Sequence, residues 1–571
     1  MRIVTTDRPR GAAGVSPPEG ATLASFVLFA ALAALLAMVY AASEWLNGGF
    51  GFPSDAAWAR AVFARNIASG QGLCFNPGVP VAGAAGPAWV ACLAFLGLVT
   101  GKFFVTAKLI GVLFVMLAAI LTWYITLDLL GDWRFAFLAA LLVAASSRLA
   151  AAGIGGTEAT LAAFLVAAAI HWQAKGWEGM LFQRTVGTAA AALAALSRPE
   201  LVVLLPLLLL DRWAVTVVHA GAGGKRIGRA LGRSLPELGG AVLILAPYVI
   251  YNWQTGGPLW QQPENALRVQ PAWAWTQGVL AGLWADNPLL VCAAVLGLPV
   301  ALAGAARERG RHPSFAVSLV PIVVLAVPGL VWTQMRAESG AYAAAYLTPA
   351  IAVLAACGLF LAHKAGARAL KPAVNAAGRV TFAVLIAAAC LTALGFTALS
   401  HSESWRQHGV RVKTISNLQA CLGQRAAERL PPDASIASRE VGAIGFFSRR
   451  RMVDLGGTIS QQGLAYLSRP GSPDSHLWAF LEEERPSHLA IRPGDFPDLS
   501  QRGDRLTPFT TFLVTDPRTG GTTTMVLYET PWPPPSLQGV RGQERLPGDG
   551  AMGEGGSLGS GEAWRGLGTG G

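Results

Sequence analysis

Charged side chains are scarce in this chain. Of its 571 residues only 13% are Asp, Glu, Lys or Arg, against about 25% in a typical soluble protein. Hydrophobic residues make up 53%, and the mean hydropathy is +0.45. Most of the chain therefore cannot be an ordinary hydrated globule. The shortage is uneven, because more than half of the acidic residues fall after Ser400. Cysteine is scarce as well. The six cysteines are too scattered for a disulfide framework, and Cys92, Cys292, Cys357 and Cys390 sit in apolar stretches as small hydrophobic residues. Only Cys74 and Cys421 fall in segments read as external, which leaves one bridge open. His171, His219 and His363 sit near the ends of apolar runs as interfacial residues, and His401, His408, His476 and His488 show no metal-ligand spacing. No internal repeat is evident, which weighs against a transporter or lipid flippase.

What the chain does have is a series of long apolar runs separated by basic loops. The net charge of +11 would suit a nucleic-acid partner, but its placement does not. Lys225, Arg226, Arg229 and Arg233, then Arg307, Arg309 and Arg311, then Lys364, Arg368, Lys371 and Arg379 lie in short loops between apolar runs. That is the pattern of cytoplasmic loops under the positive-inside rule. About 20 apolar residues cross a hydrocarbon core. Runs that qualify or nearly so lie at 22–42, 87–99, 104–127, 135–150, 158–171, 186–218, 239–251, 288–305, 314–332, 341–362 and 380–399.

These runs predict an α-helical polytopic protein of the cytoplasmic (inner) membrane with about eleven transmembrane helices. Arg2, Arg8 and Arg10 place a tail, 1–21, in the cytoplasm. A membrane domain follows at 22–399, with its first external loop at 43–86. Beyond it the pattern changes to short β-prone runs at 435–437, 452–455, 488–491, 511–515 and 523–528, alternating with helical stretches such as 412–429. Residues 400–530 thus read as an extracytoplasmic α/β domain, and the Gly- and Pro-rich stretch 531–571 as a disordered tail. Trp253, Trp260, Trp273, Trp275 and Trp284, with Tyr251, suit an aromatic belt at the lipid interface.

The first external loop is the most informative segment. Pro53-Ser54-Asp55 can open a short helix that stops at Gly70, and Asp55 and Asn66 then fall roughly on one face. Turn chemistry follows at Gly70-Gln71-Gly72 and Asn76-Pro77-Gly78. The stretch Arg65-Asn66-Ile67-Ala68, Gly70, Gly72-Leu73, Phe75-Asn76-Pro77-Gly78 resembles the first external loop of bacterial GT-C superfamily glycosyltransferases. Those similar to arabinofuranosyltransferases and protein mannosyltransferases match best. Gly156-Thr157-Glu158-Ala159, Ser197-Arg198-Pro199-Glu200, Tyr346-Leu347-Thr348-Pro349 and the 441–448 stretch followed by Val453-Asp454-Leu455 resemble further family stretches in the same order.

The resemblance implies a GT-C-like membrane transferase. Its donor would be a polyprenyl-phosphate-linked sugar, and its acceptor a lipid, glycan or protein at the outer face. An acceptor hydroxyl needs a carboxylate base as it attacks the sugar carbon, and the departing lipid phosphate needs cationic stabilisation. Asp55 would be the base. Arg65, Asn66, Glu158, Arg198, Glu200 and Arg336 would bind substrate, the arginines at the phosphate. No cofactor is implied, and a divalent metal is left open. The partners are then the lipid-linked donor, the acceptor and membrane lipids, with no nucleic acid.

The loop also departs from the family pattern. Ala56 stands where a second Asp is usual, Ala82 and Ala84 stand where an acidic residue and an aromatic are usual, and Gly86 replaces an Asn. A scaffold derived from such an enzyme, with its catalysis impaired, is therefore an alternative. The other residue-level alternatives are plain: Asp55 as a helix cap, Arg198 with Glu200 as a structural ion pair, and Arg65 as an interfacial side chain.

Overall fold

The computed structural model of the chain describes residues 17–175, 181–220, 224–261, 272–306, 314–331, 337–369, 376–467, 469–515 and 521–537. The expected tail at 531–571 falls mostly outside these residues, as does Arg336.

An uncharged run without water to bond must close its backbone hydrogen bonds internally, and so becomes a helix. In chain order the helices are α1 (Ala21–Leu46), α2 (Asp55–Ala68), α3 (Pro87–Thr100), α4 (Phe103–Leu130), α5 (Trp133–Ala144), α6 (Ser147–Ile154), α7 (Ala159–Lys175) and α8 (Leu181–Ser197). Then come α9 (Leu204–Ala220), α10 (Gly224–Gln254), α11 (Ala272–Asp286), α12 (Pro288–Ala306), α13 (Ala316–Val331), α14 (Ala337–Ala369) and α15 (Ala376–Ile415). Among the described residues, four helical stretches are long and apolar enough to cross a membrane: Ala21–Leu46, Phe103–Leu130, Ser234–Gln254 and Ala344–Gly366. Two bent pairs, α5 with α6 at 47° and α11 with α12 at 114°, raise this to six.

Two of the expected runs fold differently from their hydropathy. The run at 87–99 reads as a span but forms α3, whose 14 residues extend about 21 Å, short of a hydrocarbon core of about 30 Å. Lys108, in the second turn of α4, pairs with Glu44 at the end of α1 (Nζ to Oε1 2.5 Å, to Oε2 2.7 Å). Helix α4 therefore starts beside the end of α1. Helix α3 lies against α2 and α4. The run at 186–218 reads as one segment and is divided in two. Pro199 has no N–H and forces Arg198 out of the helical region, to φ −143° and ψ 126°. A short 3₁₀ turn, Pro199–Val203, then leads into α9.

Helix α15 runs for 40 residues and leads through a π turn, Ser416–Ala420, into α16 (Cys421–Arg429). The sheet domain comes next: β1 (Ser435–Ser438), α17 (Val441–Ser448), β2 (Arg451–Asp454), α18 (Gln461–Leu467), α19 (Pro473–Glu484), β3 (His488–Ile491), β4 (Thr507–Thr515) and β5 (Thr522–Glu529). The strand order is β2-β1-β3-β5-β4. Strand β1 runs parallel to β2 and β3, while β5 is antiparallel to β3 and β4. Each β-prone run in the sequence supplies one strand. One face of the sheet carries its own core of Leu477, Phe480, Leu481, Leu489, Ile491 and Tyr528. The other joins the main core through Ile436, Met452, Ala490 and Leu527, where it meets α17 and the π turn Ser416–Ala420. Cys74 and Cys421 are both free thiols.

Candidate functional site

The external loop is organised by α2, whose two faces do different things. Ser54 caps the helix, its hydroxyl accepting from the Ala57 amide at 3.3 Å. Asp55, Trp58, Val62 and Arg65 are spaced three, four and three residues apart, so they share a face. Arg60 lies off that face.

The Asp55 face receives α17 of the sheet domain. The residue before α17, Glu440, offers its helix no side-chain cap. Asp55 supplies it instead: Oδ2 accepts from the Gly442 amide at 2.9 Å and Oδ1 from the Ala443 amide at 3.0 Å. So the expected cap is made, but to another helix. A Cβ on Gly442 would lie 2.0 Å from the Asp55 carbonyl oxygen, which is why only glycine lets the two helices approach this closely. At the other end of α17, Arg65 donates to the Phe446 carbonyl at 3.1 Å and lies 5.2 Å from the centre of the Phe446 ring. Trp58 fills the middle against Phe446 and Phe447.

The turn after α2 completes the junction. Asn66 donates to the carbonyls of Cys74 (3.0 Å) and Phe75 (2.8 Å), fixing the loop's fold. Asn76 accepts from the Met452 amide and donates to the Met452 carbonyl, both at 2.8 Å, as a neighbouring strand would beside β2. The loop positions that lack polar side chains are held by their backbone. Tyr248 donates to the Ala84 carbonyl, Tyr251 to that of Leu73, and the Gly83 and Gly86 amides donate to Asn252 and Gln261.

Burial pushes the Asp55 carboxyl up to about 7; the Gly442 and Ala443 amides pull it down, and Glu440 and Asp454 nearby push it up. Burial, with the like charge of Arg449, lowers Arg65 to about 10. Burial also raises Glu440 and Asp454. Asp454 accepts from four backbone amides, those of Gly456, Gly457, Ile459 and Ser460, and so serves the turn after β2.

The Arg60 face meets a buried charge cluster. Arg60 Nε lies 3.1 Å from Glu158 Oε2, and its Nη2 donates to Oε1 at 3.3 Å. Arg198 Nε lies 3.2 Å from the other Glu158 oxygen and 3.9 Å from Glu200. Tyr346 of α14 donates its hydroxyl to Glu200 at 3.0 Å. The cluster thus gathers α2, the turn before α7, the Arg198-Pro199 break and α14. Its two acids and two guanidiniums balance, as burial requires. Glu158 and Glu200 are almost fully enclosed, whereas the Arg198 side chain is 19% exposed. Arg198 is the most exposed member of the cluster.

Glu158, Arg198 and Glu200, expected from separate motifs, are therefore brought together. Asp55, Arg65 and Asn66 belong to the junction with the sheet domain. Arg60 and Gln261 are not among the residues that the sequence singles out, and Tyr346 stands there only as part of the Tyr346–Pro349 stretch. The available signal for Arg60 is a lone cation within the apolar run Ala56–Ala64. Among the described residues no group of three or more His, Cys, Asp or Glu side chains could hold a metal ion.

Residues 406–528, the end of α15 with most of the sheet domain, match a domain family of unknown function, DUF8728. No curated protein sequence matches the chain. Solved structures do match by fold. An oligosaccharyltransferase of Archaeoglobus fulgidus, tethered to an acceptor peptide containing the NVT sequon, aligns over 88% of this chain and 74% of its own, at 15% identity and a TM-score of 0.55. ArnT from Cupriavidus metallidurans, bound to undecaprenyl phosphate, aligns over 88% and 97% at 14% identity and 0.54. The arabinofuranosyltransferase AftD from Mycobacteria aligns over 88% of this chain and 40% of its own, at 14% identity and 0.51. The fold is that of the GT-C glycosyltransferases, and the apolar helices are those of a membrane protein.

Proposed function

We propose that the chain is a glycosyltransferase of the cytoplasmic membrane that moves a sugar from a polyprenyl-phosphate donor to an acceptor at the outer face. The observation that carries this reading is the Arg198 guanidinium, set within 4 Å of two buried carboxylates on a side chain 19% exposed, in a GT-C fold. One of the fold's relatives was solved with undecaprenyl phosphate and another with an acceptor peptide. The donor and acceptor classes come from those two.

The membrane path we infer has eleven crossings. It omits α3 and counts α8 and α9 separately, α5 with α6 as one crossing, then α10 and α12 through α15, with α11 lying between α10 and α12. The N-terminus is then cytoplasmic, and the loop, the charge cluster and the sheet domain are outside, as the basic loops require.

In this mechanism Arg198 binds the lipid phosphate and stabilises it as it departs. Glu158 fixes Arg198, and Arg60 keeps Glu158 ionised. Asp55, on a different face of α2 from Arg60, is the base that takes the acceptor's proton once α2 and α17 part. A carboxyl near 7 suits that task at neutral pH. Its two oxygens must first exchange the α17 amides for the acceptor hydroxyl, so reaction at Asp55 is coupled to loosening of α17. The same engagement, with Ala56 beside it, favours a second reading in which the chain is a GT-C-derived scaffold without transferase activity.

Binding of undecaprenyl phosphate to the purified protein tests the first part. Arg198→Gln is expected to weaken it at least about tenfold, equivalent to 1.4 kcal/mol. Equal binding by wild type and variant would remove Arg198 from the role.

A further inference from the structure

A pocket lies in the membrane domain, away from the charge cluster. It is a small, partly open crevice where the α5/α6 break, the α11/α12 break, α14 and α15 meet. Its polar wall holds the hydroxyls of Ser146, Ser147, Thr348, Thr397 and Ser400 with Asp286 and Asn287, and its apolar wall is formed by leucine, isoleucine and valine side chains. Thr348 is two residues from Tyr346, so the two point from nearly opposite sides of α14. The crevice and the cluster are thus back to back.

The one charged side chain in the lining is Asp286. Arg148, outside the lining, holds it with Nε 2.6 Å from Oδ2, and Ser400 donates to Oδ1 at 3.3 Å. The Asp286 side chain remains 21% exposed. The wall offers a carboxylate and several hydroxyl oxygens, an acceptor-rich surface suited to a group that carries several N–H donors. The charges of Arg148 and Asp286 cancel, which suits a ligand that is zwitterionic overall. The apolar wall suits an acyl chain.

We propose that this crevice binds the headgroup of a zwitterionic aminophospholipid, with its primary ammonium at Asp286 and the neighbouring hydroxyls. The inference rests on the membrane character of the chain and not on the transferase reading. Phosphatidylethanolamine has the N–H donors, phosphatidylcholine has the same charge without them, and phosphatidylglycerol has neither the ammonium nor the neutrality.

The test uses the full chain, purified and delipidated, with each lipid titrated by native mass spectrometry. Phosphatidylethanolamine is expected to bind at least about fivefold more tightly than either of the others. Asp286→Asn should erase that preference, and Thr348→Phe, which fills the crevice, should weaken phosphatidylethanolamine about tenfold. Equal binding of the three lipids by wild type would show a merely hydrated junction and overturn the proposal, whether or not the variants fold. Undiminished binding by a folded Thr348→Phe protein would overturn it too.

Discussion

Asp55 and Arg65 stand at opposite ends of one helix and hold the opposite ends of another. The carboxylate accepts from the first amides of α17, and the guanidinium donates to a carbonyl of its last turn. Ten steps along α2 cover about 15 Å, and the eight residues of α17 cover about 12 Å, so the spacing matches the length of the helix it brackets. Each charge also opposes the partial charge at its end of the α17 dipole. The sheet domain is docked on the external loop by this pair, with Trp58 between them and Asn76 beside β2.

Gly442 sets how closely the two helices approach. Gly442→Ala places a methyl group 2.0 Å from the Asp55 carbonyl oxygen, and is expected to cost about 1–3 kcal/mol of stability. Thermal unfolding and hydrogen exchange across α2 and α17 measure it. Gly494→Ala, where a Cβ meets nothing within 4 Å, should leave both unchanged.

The Asp55 carboxyl gives the junction a pH dependence. Its folded value, about 7, lies above the ordinary 3.8, so the folded state binds the proton more tightly than the unfolded one. Stability from this group is then fullest below pH 4 and declines as the pH rises to 7, levelling off above. Asp55→Asn removes the titration. The difference in stability between variant and wild type should grow from pH 4 to 7 and then stay constant. A difference that does not change with pH would mean that Asp55 titrates normally.

The buried cluster predicts an order of sensitivities. Glu158→Leu leaves two guanidiniums facing each other with only Glu200 to offset them, and should cost about 3–5 kcal/mol. Tyr346→Phe removes one hydrogen bond to Glu200 and should cost about 0.5–1.5 kcal/mol. Denaturant unfolding of the two variants would show the reverse order if Glu158 were protonated and neutral in the fold.

Much of this is legible in the sequence, and the failures have physical causes. Short β-prone runs bounded by turn residues locate all five strands, a local signal that survives even where β1 and β3 are buried on both faces. The motif around Arg65 and the stretch 441–448 stand apart in the sequence, and in the fold they touch. Nothing local in either announces the other, since the contact joins residues almost 400 positions apart. Asp55 reads as a cap for its own helix or as a free base. Its amide partners come from a distant helix, and hydrogen bonding of that kind leaves no sequence period. Helix α3 reads as a span because its run is apolar throughout, while its 14 residues are short for one. Arg60 goes unmarked because one cation in a short helix has the spacing of a surface residue, and only the fold puts Glu158 beside it.

Sugar transfer by the purified full-length protein, offered a panel of polyprenyl-phosphate sugars, tests the central claim most directly. The account predicts transfer from at least one donor by wild type, and a loss of about a hundredfold or more in both Asp55→Asn and Arg198→Gln. Wild-type protein that binds undecaprenyl phosphate but transfers no sugar, or an Asp55→Asn variant with full activity, would contradict it.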